Sequence, residues 1–187
     1  YLNSPIYNKK ISSVDDKVII FKPSQSTLNC LIKLNKKKNK IEDFSLNSVW
    51  KDSTNLNKKN FKNLHSFFWL FSLDLKSSKK ITQNIITNWI DENHKYKQII
   101  WDLDILSKRI IAWISNSKLT YENSETTYKL YFNSLIKKQT NHLINEIKRS
   151  EKLDDKIIGS TAIILVGLTY GDEYYLRFGV DLLKKIL

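Results

Sequence analysis

The sequence predicts an all-α fold of antiparallel helical hairpins, preceded by a short irregular or β-type arm. From Phe61 onward apolar residues recur at three- and four-residue steps in six separate stretches, the period of one helix face. Short polar connections with capping or stopping residues divide these stretches, which makes neighbouring helices antiparallel. Before residue 60 the texture differs: a β-type run, turn residues and lysine-rich polar stretches show no helical period. At 187 residues and 41% hydrophobic composition the chain can bury the core of one domain. The organisation expected is an arm over residues 1–60 and a helical body over 61–187.

In the arm, Val18–Phe21 (VIIF) reads as a short strand closed by Pro23. Leu28–Leu34 reads as a second strand or a helical turn, with Cys30 as a buried small hydrophobe. Residues 34–40 (LNKKKNK) read as a solvated lysine loop or a polyanion-binding patch. Lys51–Asn60 reads as polar loop. The helical body opens with Asn63–Leu75 (NLHSFFWLFSLDL), apolar on most sides and suited to a buried helix. Ser77 or Ser78 caps a second helix striped by Ile81, Ile85, Trp89 and Ile90. The third, Trp101–Ser115, is the clearest amphipathic helix, with Leu103, Leu106, Ile110 and Trp113 on one face. Asp102 and Asp104 lie at its N-terminal end, where negative charge suits the helix dipole.

Asn116–Glu122 reads as loop, and Ser124 as the cap of a long helix running towards Arg149. Ile157–Tyr170 is apolar nearly all round, the mark of an inner helix, and Gly159 and Gly167 allow close helix approach. Gly171 and Asp172 form a stop-and-start pair before the last helix. More apolar helices thus alternate with more amphipathic ones, which suits an inner and an outer layer. The ending VDLLKKIL keeps helical periodicity, and the chain holds no methionine. The expectation is a fragment or a mature form, truncated at the C-terminal side of its helical part.

The formal charge is +12, carried mostly by residues 1–80, where 16 Lys face 6 acidic residues. Such a surface attracts nucleic acid, anionic lipid or acidic polysaccharide. Lysine outnumbers arginine 28 to 3 and alanine occurs twice, a pattern that an AT-rich genome produces whatever the function. No apolar run is long enough to span a membrane. The sequence lacks a glycine-rich phosphate loop, a Cys/His metal spacing and a G-x-S-x-G elbow, and its three histidines, His65, His94 and His142, form no ligand pair. Neither metal nor cofactor is expected.

Two features remain as candidate chemistry. Arg109 is one of three arginines and sits mid-helix between two tryptophans. Its planar fork can grip a ligand carboxylate, or pair with an acid on a neighbouring helix. All five tryptophans fall between residues 50 and 113. They are either core or stacking platforms for sugar rings.

The segments LHSFFWLFSL (Leu64–Leu73), WI at Trp89–Ile90 and W-x-x-D-I-L-x-x-R-I-I-A-W-I-S (Trp101–Ser115) together resemble, in order and spacing, the N-terminal helical region of heparinase II/III-like proteins, a polysaccharide-lyase superfamily. The resemblance spans about residues 44–187. It implies an incomplete (α/α) toroid followed by a β-sandwich domain in the parent chain. It also implies β-elimination of uronate-containing acidic polysaccharide. In that chemistry an asparagine side chain neutralises the uronate carboxylate and a tyrosine or histidine moves the proton.

The family's catalytic residues generally lie later in the toroid and in the sandwich, so no catalytic residue is carried over and the fragment is expected to be inactive. His65, Trp69, Trp101, Arg109 and Trp113 match positions in the resembling motifs and are the candidate substrate-binding residues, with toroid packing as the alternative. The implied location is the periplasm or cell envelope, with the cytoplasm left open. The competing functions are a basic all-α nucleic-acid-binding module, resting on charge alone, and a ligand-free helical scaffold. An (α/α) glycoside hydrolase would need two carboxylates facing a cleft, and Asp102 and Asp104 point in different directions.

Overall fold

The computed structural model describes residues 1–12, 17–21, 50 and 56–187, and among these all regular structure is helical. The α-helices are α1 (Pro5–Ile11), α2 (Lys58–His65), α3 (Lys79–Asn93), α4 (Leu103–Ser115), α5 (Ser117–Thr120), α6 (Thr126–Glu146), α7 (Leu153–Tyr170) and α8 (Glu173–Lys184). Two 3₁₀ segments, Phe68–Ser72 and Ile147–Arg149, complete them. The all-α class is therefore correct. No described helix is long and apolar enough to cross a membrane.

The arm departs from expectation where it is described. Pro5–Ile11 is a helix: the Ser4 hydroxyl accepts the Tyr7 amide at 3.1 Å, and Pro5 occupies the first turn, where a missing N–H is harmless. Val18–Phe21 forms no strand. Its amides are taken by a helix end, with Ile20 N–H and Phe21 N–H both donating to the Thr169 carbonyl of α7. The second strand, Cys30 and the 34–40 lysine run lie outside the described residues.

The single helix expected over Asn63–Leu75 is instead broken. Asn57 caps α2 through the Asn60 amide at 2.9 Å, so the helix begins inside the stretch read as loop. It ends at His65, and Phe67 takes a left-handed φ of 55° before the 3₁₀ segment. The reason is steric. Phe67, Phe68, Trp69 and Phe71 would point to all sides of one helix, whereas the reversal sends Phe67 and Phe71 into the core with no exposed surface.

Downstream, the punctuation holds. Ser78 caps α3 through the Ile81 amide, and Gly171 closes α7 at φ 60° with Asp172 capping α8 through Tyr175. Ser124 is no cap: its hydroxyl donates to the Tyr121 carbonyl, and α6 begins after Glu125. The Asn116–Glu122 loop contains the short helix α5.

Helix α4 is more enclosed than its amphipathic pattern suggests: from Ile105 to Ser115 every residue except Lys108 is buried. It lies against α7, α6, α2 and the Phe68–Ser72 segment. The most extensive helix contact joins α7 to α8. There, a β-carbon on Gly167 would come within 2.5 Å of the Leu176 backbone nitrogen. The inner-helix reading of α7 holds on three sides, but Leu153, Ile157 and Leu168 are exposed on the fourth.

Gly167→Ala tests the α7–α8 contact. Helix propensity alone favours alanine by about 1 kcal/mol. Backbone cannot retreat like a flexible side chain, so the substitution should instead destabilise by about 1–3 kcal/mol, read from urea unfolding. A stabilised variant would contradict this packing.

Candidate functional site

The most constrained polar group in the protein is Arg109. Its guanidinium has no exposed surface. Nε donates to Gln139 Oε1 at 3.2 Å, Nη1 donates to the His65 carbonyl at 2.8 Å, and Nη1 and Nη2 share the Ile100 carbonyl at 3.2 Å. The cation lies 4.3 Å from the centre of the Trp89 ring, an arrangement that favours positive charge. Neither sequence reading of this residue describes it. No carboxylate pairs with it among the described residues, and no side of it faces solvent. Burial lowers its pKa to about 9, which still leaves it protonated at neutral pH.

The other candidate residues surround it. His65 is 1% exposed, and its Nδ1 accepts the Trp89 indole N–H at 3.0 Å. Trp101 is buried and donates to the Asn93 carbonyl at 3.2 Å. Trp113 is buried among aromatic rings, stacked on Phe132 at 5.3 Å and edge-on to Trp89 at 5.5 Å and 89°. Trp69 is half-buried, stacked on Phe67 at 5.5 Å, with its indole N–H donating to the Leu64 carbonyl at 3.2 Å. The structure thus gathers the set along α2, the 3₁₀ segment and α4, as part of the core. None of the five lines the lysine-rich cleft beside α2 or the groove between α3 and α6.

The buried titratable groups are also committed to protein partners. Tyr7 of α1 lies 2.8 Å from Nδ1 of His142 on α6. Burial raises the tyrosine pKa to about 12 and lowers that of His142 to about 4, so the hydrogen bond joins a neutral hydroxyl and a neutral imidazole. Burial, helped by the nearby Arg109 charge, also lowers His65 to about 4.

What faces solvent is different. A cleft of about 460 Å³ lies between α2 and the start of α4, and four lysines line it: Lys58, Lys59, Lys62 and Lys108. Two are compensated, Lys62 by Asp102 at 3.1 Å and Lys108 by Asp104 at 2.6 Å. Lys58 and Lys59 have no carboxylate partner among the described residues, which leaves the cleft cationic. The sequence pattern hides this cleft, because residues 51–60 are polar and show no helical period. The available signal was Asn57 as a cap followed by Lys58, Lys59 and Lys62, a spacing that places all three on one helix face. A second, larger groove lies between α3 and the first turns of α6.

Comparison with protein-family models, curated proteins and solved structures returns no match. Function therefore rests on the residues themselves.

The histidine assignments have a pH consequence. A folded-state pKa near 4, against about 6.5 unfolded, means that the unfolded chain binds more protons between these values. The stability held by His65 and His142 is complete above pH 6.5 and is lost as pH falls towards 4. Urea midpoints should fall between pH 6.5 and 5, before carboxylates titrate, and fall less in His142→Asn. A midpoint independent of pH in that window would overturn the neutral, buried assignment.

Proposed function

We propose that this chain is the helical part of a heparinase II/III-like polysaccharide lyase. Its role here is to hold a uronate-containing acidic polysaccharide rather than to perform the β-elimination. The observation that carries the reading is the lysine cleft between α2 and α4, where Lys58 and Lys59 have no carboxylate partner among the described residues. Flexible ammonium groups at a shallow surface suit a chain of carboxylates or sulfates, because they attract charge without demanding one ligand geometry.

The architecture proposed with it is an incomplete (α/α) toroid, with α4 and α7 as inner helices and α3, α6 and α8 as outer ones. Contact between α4 and α7, and between α3 and α6, supports that layering. The chemistry of elimination needs a base in reach of the sugar C5 proton. The described groups with strongly shifted pKa values, namely Tyr7, His65, Arg109, Tyr128 and His142, all bond to protein atoms. That supports a binding part without its own catalytic base. In this reading a β-sandwich domain of the parent chain supplies the rest, and the periplasm or cell envelope is the setting.

Binding of heparan sulfate and of duplex DNA to these 187 residues should be compared across a salt series. Heparan sulfate should bind with affinity that falls as salt rises. Lys58→Gln/Lys59→Gln should weaken it by about tenfold with an unchanged circular dichroism spectrum, and no unsaturated-uronate absorbance should develop. Absorbance from the fragment would contradict the binding-only role. Unaltered heparan sulfate binding by the double variant would contradict the cleft. Tighter binding to DNA would favour a nucleic-acid module.

A further inference from the structure

We propose that the groove between α3 and α6 is a second binding site, built for neutral, hydroxyl-rich sugar units. It is separate from the lysine cleft and independent of whether that cleft takes an acidic chain. The groove has a volume of about 710 Å³, within the span of roughly 300–1,000 Å³ usual for small-ligand sites.

Its floor is fixed. Gln83 donates to the Glu122 carbonyl at 3.1 Å, Thr87 donates to the Gln83 carbonyl at 3.0 Å, and the Tyr128 hydroxyl donates to the Thr120 carbonyl at 2.6 Å. The Gln83 bond ties α3 to the turn just after α5 and the Tyr128 bond ties α6 to α5, while the Thr87 bond braces α3 internally, so the two walls are linked through the α5 segment before any ligand arrives.

The walls carry unused hydrogen-bonding capacity of both kinds. Lys80 and Asn84 on α3 offer donors, while Asp91 on α3 and Glu125 before α6 offer carboxylate acceptors. None of these four side chains has a hydrogen-bond or ion-pair partner among the described residues. Tyr131, 57% exposed, stands in the same wall and presents an aromatic ring. Carboxylates and amides accept and bridge vicinal hydroxyls, and an exposed ring packs against the apolar face of a pyranose.

Charge decides the ligand class. Lys79 at the groove is answered by Glu122 at 3.7 Å. That leaves Lys80 against Asp91 and Glu125, a balance with no excess of positive charge. A polyanion would meet two carboxylates here, whereas a neutral saccharide meets only hydrogen-bonding partners.

The test is a titration of the isotope-labelled chain with maltohexaose, cellohexaose, chitohexaose and the acidic heparosan hexasaccharide, followed by NMR. At least one neutral oligosaccharide should shift the Asn84 side-chain amide and the Tyr131 ring. Asn84→Ala and Tyr131→Ala should each weaken that binding by about three- to tenfold, while Lys58→Gln/Lys59→Gln should leave it unchanged. Both wall residues are outside the core, so these variants retain the fold. Silence of both resonances with every neutral oligosaccharide, or shifts with the acidic one alone, would overturn the proposal.

Discussion

One buried cation, Arg109, ties the helical body together. The Arg109 guanidinium joins four segments distant in sequence: the end of α2 through the His65 carbonyl, the α3–α4 connection through Ile100, α6 through Gln139, and α3 through the Trp89 ring. Burying a charge is strongly unfavourable unless its hydrogen bonds are met. Here backbone carbonyls and one amide meet them. The His65 carbonyl sits where α2 ends and the Ile100 carbonyl in the turn before α4, so the arginine also answers acceptors that helix end and turn leave over. Arg109 thus adds a polar tie to the aromatic packing that turns the chain after α2 and leads it into α4.

That constraint separates packing from recognition. Arg109, His65, Trp101 and Trp113 are consumed by the core, and the ionisable members among them are held in the states that suit the interior. The ligand contacts proposed here fall to side chains the core does not use. These are the lysines of α2, whose positive charge exceeds its local compensation, and the mixed polar wall between α3 and α6. The two surfaces differ in charge, which is why different ligands are proposed for them, and neither draws on the motif residues.

How much could be read beforehand follows from where the decisive forces are local. Ser78, Gly171 and Asp172 act within one turn of themselves, so their roles as cap, stop and cap were legible. The small residues of α7 likewise announced close approach. The break at Phe67 was not legible: it comes from competition among four aromatic rings for one core, a tertiary effect that overrides local period. Helix α1 was missed although Ser4–Pro5 is a start signal, because seven residues hold little period and its anchor, His142, lies far along the chain. Arg109 stood out as one of three arginines, and among the described residues the oxygens that answer it are two backbone carbonyls and an amide. A residue type shows what geometry it offers, not whether carbonyl or carboxylate answers it.

Arg109 is the structural centre of the helical body, and urea denaturation of Arg109→Lys against the unaltered chain tests this most directly. Lysine keeps the charge but cannot reach Gln139, His65 and Ile100 together. The expected loss is about 3 kcal/mol of unfolding free energy, or failure to fold. A change within about 0.5 kcal/mol, as for an ordinary surface substitution, would show that the guanidinium is not what holds these segments together.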